Sequence, residues 1–255
     1  MAGKPTPGAS WPSRRRVAGA LLVAGPVIFL GAELIAASAW TDPPYSYVYD
    51  VISSLGVVGP STFSGQSAIS PLAWVMNTGF SLYGITILTG VAALRGLSGR
   101  RRRAALVPAT MLAVGGVLLA LFPGTGQAMN TGTGYMHALG AVAAFIGSNV
   151  LAMVLGIMHP RIGLAPKVGK ALAVVGVFGL VSMVAYFADV ISGANLLLGL
   201  VERGAAHPFM IGLICAGASI WRNRSLDGPQ EPPSQIGEAD SMPQSSSGPR
   251  EGSRA

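Results

Sequence analysis

Six stretches of almost unbroken apolar residues divide the chain, at 17–40, 71–94, 104–122, 135–158, 168–190 and about 205–221. At 1.5 Å of rise per residue, each is long enough as a helix to cross a hydrocarbon layer of roughly 30 Å. Lipid offers no partner for peptide N–H and C=O groups, so a spanning segment has to satisfy them internally. The pattern predicts an all-α polytopic membrane protein, a six-transmembrane-helix bundle occupying 17–221.

The polar stretches between these runs are turn-rich. Pro43-Pro44, Gly59-Pro60 and Pro71 break the segment 41–70, and a proline without an N–H cannot continue a helix interior. Tyr45-Ser46-Tyr47-Val48-Tyr49 is aromatic and amphipathic, the composition that lies well at a headgroup interface. Residues 50–56 read as one short helix there. The loop 125–134 is built of Gly, Thr and Asn. Residues 1–16 are predicted as a disordered N-terminus and 225–255, rich in Pro, Ser, Gly and Glu, as a disordered tail. Ala37-Ser38-Ala39 resembles a signal-peptide processing site. The apolar run before it exceeds the usual 7 to 15 residues, however, and carries Glu33, which favours a retained helix.

Charge then orients the bundle. With helices alternating in direction, sixteen of the seventeen Lys and Arg fall on one side, led by Arg14-Arg15-Arg16 and Arg100-Arg101-Arg102-Arg103; only Arg203 falls on the other. The positive-inside rule therefore puts both termini in the cytoplasm of a cell whose plasma membrane holds the chain. Formal charge is +7, yet the basic groups flank apolar runs instead of forming a stripe with interleaved aromatics, which argues against nucleic acid. Cys215 is the single cysteine, so there is no intrachain disulfide and no CxxC site.

Helical rise also gives depth. Glu33 stands about 25 Å above Arg16, Asn77 about 27 Å from Arg95, Asp189 about 28 Å from Lys170, and Arg203 and His207 about 28 and 22 Å from Arg222 if their helix is continuous. Asp50, Glu202 and His137 belong at or above the same level. An ionisable side chain in the membrane costs about 2.5 to 3.5 kcal/mol on insertion scales and usually faces a partner or water. Three readings follow. Arg203 neutralises one or two of Glu33, Asp189 and Glu202 and staples the outer helix ends, with His207 four residues on adding a donor. Alternatively, His137 and His207 with Asp50 or Asp189 hold a metal, with Ser53 or Ser54 assisting hydrolysis of a lipid ester or amide, or Ser53, His137 and Asp189 form a nucleophilic triad. No HExxH or GxSxG supports the hydrolase. Finally, Pro26 and Pro108 interrupt spans as in some transporters, but without matching halves.

Four stretches occur together in order: Asp50-Val-Ile-Ser-Ser-Leu-Gly56; Asn77-Thr-Gly-Phe80 with Gly84; Leu121-Phe-Pro123 followed by Gly134-Tyr-Met-His137; and Gly199-Leu-Val-Glu202-Arg203. In these the chain resembles the uncharacterised bacterial membrane family called "domain of unknown function 998", over about 17–221. The resemblance implies a six-helix bundle and supplies no reaction. An acid expected by that pattern is replaced by Ser54, and another by Gly124 and Thr125. Both departures weaken an enzymatic reading and leave His137, Glu202 and Arg203 as the residues best carried over.

The expectation is thus an integral membrane protein of unassigned activity, more readily a non-enzyme, whose outward-facing polar layer (Glu33, Asp50, Asn77, His137, Asp189, Glu202, Arg203, His207) binds a lipid headgroup or a small solute. A metal-dependent hydrolase using His137, His207 and Ser53 and a small-solute transporter are the alternatives. The expected partners are the bilayer and a lipid or small-molecule ligand, with no nucleic acid; no metal or cofactor is expected.

Overall fold

A computed structural model describes residues 14–59, 61–63, 66–68, 70–124 and 132–222. Of the N-terminus 1–16 expected to be disordered, 1–13 lie outside these residues, as do the tail and most of the loop 125–134, whereas Arg14–Arg16 are helical, the helix running on from the apolar span. Six helices are long and apolar enough to cross a membrane: α1 Arg14–Ser38, α2 Ala73–Ala93, α3 Gly99–Leu121, α4 Thr133–Ile157, α5 Pro166–Ser192 and α6 Leu198–Arg222. Each packs on its sequence neighbours, and α6 closes the ring against α1.

Lipid does not drive apolar helices together, so association depends on close packing and internal hydrogen bonds. Glycines permit the approach. A Cβ on Gly115 of α3 would stand 2.6 Å from Gly140 O and Ala144 N of α4. This is the Gly140/Ala144 pair whose four-residue spacing is visible in the sequence. Gly212, spaced likewise with Ala216, meets the Leu172 side chain on α5 instead of a backbone. Between the helices Leu22, Met76, Ile87, Leu151, Leu172, Phe209 and Leu213 are fully buried, whereas Val27, Leu34, Trp74, Val107, Val177 and Val181 face outward. That apolar exterior suits a lipid solvent.

Helix ends follow local chemistry. α5 stops at Gly193, whose φ of +68° is one that residues with a Cβ rarely adopt. Arg102 donates from Nη2 to Ala92 O at 3.0 Å, satisfying a terminal carbonyl of α2. Arg100–Arg103 are helical, and α3 begins at Gly99, five residues ahead of the predicted 104. α6 likewise begins at Leu198, seven residues ahead of the predicted 205, and takes Glu202 and Arg203 into the helix. Both charges find partners inside the bundle, so nothing forces them into a loop.

The connection from α1 to α2 forms a cap over one end of the ring. It contains a 3-10 helix, Ile52–Gly56, and two three-residue strands, β1 Ser61–Phe63 and β2 Gln66–Ala68, paired antiparallel. Val51, Ile52, Leu55 and Val57 are buried and plug the ring. The opposite end carries the exposed arginines 100–103.

Candidate functional site

At the cap end, Arg203 of α6 binds Glu33 of α1. Nε and Nη2 lie 3.0 and 2.8 Å from Glu33 Oε1, with the two residues 7% and 2% exposed. His207, one turn further along α6, donates from Nε2 to Glu33 Oε2 at 2.9 Å. The remaining guanidinium hydrogens go to the cap and to the first turn of α6. Nη1 donates to Tyr47 O, Asp50 O and Gly199 O at 2.9 to 3.0 Å, and Nη2 to Tyr45 Oη at 2.6 Å. The Arg203 Cζ sits 4.8 and 5.4 Å from the ring centres of Tyr47 and Tyr45, within range of a cation–π attraction.

Only arginine offers five donors in a planar fork, and here the fork joins two helices to a loop. Tyr45 completes the knot, its hydroxyl within 3.1 Å of Asp50 O and 3.0 Å of Val51 O. Burial pushes its phenol well above the usual range against the pull of Arg203, so Tyr45 stays a donor. Instead of lying at an interface, Tyr45 turns inward against Trp40, with ring centres 5.2 Å apart; Tyr47 and Tyr49 remain exposed.

Glu202, adjacent to Arg203 in sequence, points elsewhere. Its carboxylate accepts the backbone N–H groups of Ile52 and Ser53, capping the 3-10 helix from α6. Asp50 contributes to the Arg203 knot through its carbonyl, while its carboxylate accepts Ser46 N–H at 2.7 Å and shapes the loop.

The other residues of the expected polar layer are spent separately. Asn77 donates from Nδ2 to Gly56 O at 2.9 Å, tying the cap to α2. His137 donates from Nδ1 to Phe122 O at 2.8 Å. Asp189 accepts Leu196 N–H at 3.2 Å with both oxygens, closing its own loop. Asp189 is thus not a partner of Arg203. Among the described residues no three His, Cys, Asp or Glu gather as a metal-binding group. The set His137, His207 and Asp50 or Asp189 is not assembled, and Ser53, His137 and Asp189 form no triad: His137 is turned to Phe122 O, His207 to Glu33, Asp50 to Ser46 N–H and Asp189 to Leu196 N–H.

Beneath the cap lies a cavity of about 250 Å³ lined by all six helices, including Phe29, Phe80, Leu112, Phe145, Tyr186 and Met210. Its walls are mostly apolar, with Ser53, His137 and Glu202 among the polar exceptions. Sequence reading missed Phe145, Tyr186 and Phe187 here. An aromatic in an apolar span carries no mark that separates a cavity wall from ordinary packing.

A closed ring of six apolar helices with an ion-pinned cap defines a multi-pass α-helical membrane protein. Residues 22–219 match the family described as "Protein of unknown function (DUF998)", and the chain belongs to that family. No curated protein and no solved structure gives a match.

Proposed function

We propose that this protein is a binding module of the plasma membrane, with the arginine end and both termini cytoplasmic, and that it holds a small, largely apolar molecule in the cavity under its outward-facing cap. The observation that carries this reading is a cavity with aromatic and aliphatic walls and only a few polar groups, the usual character of a small-molecule site. The residues of the polar layer support a structural role. Arg203 has every donor group engaged within the chain, so the knot itself has none left for a headgroup. The lining extends no nearer the arginine end than Ser148, nine residues from Ile157, or about 14 Å along α4. A pocket that ends midway favours retention over passage, and so the transporter reading is secondary.

Orientation is checked in intact cells carrying Cys215→Ala. A membrane-impermeant maleimide is expected to label Val58→Cys and to spare Ser98→Cys; the reverse pattern would refute the topology. Occupancy is checked by mass spectrometry of small molecules that co-purify with the protein. Ala141→Trp puts an indole into the cavity wall, and it is expected to remove a species retained by the unsubstituted protein while leaving thermal unfolding in detergent within a few degrees. If both proteins carry the same species in the same amount, the cavity is not its site.

A further inference from the structure

One of the two acids buried at the cap end has no basic side chain turned to it among the described residues. Glu33 and Glu202 are both within the bundle, 2% and 5% exposed. Among the described residues Arg203 is the guanidinium that the structure places beside them, and it is committed to Glu33, to the cap carbonyls and to Gly199 O. His207 adds a positive charge only when protonated, and it too is turned to Glu33. Among the described residues no basic side chain forms an ion pair with Glu202. A carboxylate in an apolar interior needs a counter-charge or a proton.

Glu202 also lines the cavity, and three of the aromatic rings in its wall form a cluster. Phe145, Tyr186 and Phe187 pack edge to face on one another, with ring centres 5.3 to 6.4 Å apart. Tyr186 and Val51, which precedes the 3-10 helix capped by Glu202, belong to one buried cluster. An acid beside clustered aromatic faces in a low-dielectric chamber has the chemistry that selects an organic cation. The carboxylate supplies charge and the π-faces supply a quadrupole that an ammonium can exploit without water.

We infer that the cavity takes a lipophilic amine, its ammonium at Glu202 and beside the Phe145, Tyr186 and Phe187 rings, and its apolar body toward Met210. This rests on reading the cavity as a ligand site. The volume sets the size of the body. Since a cavity of about 150 Å³ accepts benzene, one of 250 Å³ accommodates about a bicyclic ring system.

The test uses three probes of one shape, 1-naphthylmethylamine, 1-naphthalenemethanol and 1-naphthoate, in equilibrium dialysis against the full chain in dodecyl maltoside, with protein-free micelles subtracted. The amine is expected to bind at least tenfold more tightly than the alcohol, and the anion not at all. Glu202→Gln keeps an acceptor for the Ile52 N–H while removing the charge. It is expected to abolish the preference for the amine and to leave the alcohol unchanged. Equal binding of amine and alcohol, or an amine preference that survives Glu202→Gln, overturns the inference while leaving the cavity as a ligand site. If no probe is retained by the unsubstituted protein, or if Ala141→Trp retains all that it does, the cavity reading itself falls. Phosphatidylethanolamine added to the micelles separates two sources of the ammonium. Displacement of the probe assigns the natural occupant to lipid, and no displacement assigns it to a free amine; each keeps the cation at Glu202.

Discussion

Replacing Arg203 by alanine is expected to cost about 3–5 kcal/mol, measured by reversible unfolding in mixed detergent micelles, because breaking a buried pair from one side strands the other charge. Glu33 would keep only His207, and the carbonyls of Tyr47 and Asp50 would each lose the guanidinium donor. The loss should be concentrated at the cap, so limited proteolysis within 41–59 is expected to accelerate more than cleavage elsewhere. Lysine is a poor substitute, since one ammonium cannot reach Glu33, Tyr45 Oη and the cap carbonyls together. Pairing Arg203→Ala with Glu33→Gln should recover part of the loss, because the second change removes the stranded charge. Pairing it with Asp189→Asn should be additive, since Asp189 serves its own loop. Additivity with Glu33→Gln would show that the ion pair adds no coupling.

The second large effect is expected at Gly115. A leucine there should cost about 3 kcal/mol, because even its Cβ would press on Gly140 O and Ala144 N, and a backbone cannot swing aside as a side chain can. α3 and α4 would have to separate, with the loss of close packing along their shared length. Gly31→Leu on α1 is the control. A Cβ there meets nothing within 4 Å, so the same change in volume should leave stability within about 0.5 kcal/mol. Both variants are compared in the same unfolding assay; an equal cost at the two positions would mean that close backbone approach does not set stability.

What the sequence could reveal follows from what is local to it. Span number and class are properties of contiguous residues, so hydropathy and length suffice to expect six helices. Helical rise assigns depth, and depth alone brings Glu33, Arg203 and His207 to one level. Rise does not fix which way a side chain faces, however. Asp189 has the right height and turns back on Leu196, while Glu202, one residue from Arg203, turns to the N–H groups of Ile52 and Ser53. Near the start of α6 the charges suggested a loop, because the sequence does not show that they are satisfied internally. The cavity was hidden for a related reason, since Phe145 and Tyr186 are 41 residues apart and meet only once α4 and α5 pack together.

The position of Glu33 has a further consequence for biogenesis. Its partner Arg203 lies 170 residues downstream, so at about 5–20 residues per second the first span exists for roughly 10–30 s before that partner has been synthesised. Throughout that interval the Glu33 carboxylate has neither of its native partners, Arg203 and His207. The nascent protein must therefore depend on snorkelling, protonation or an insertion factor to tolerate it, and synthesis of α6 is the step that relieves the first span.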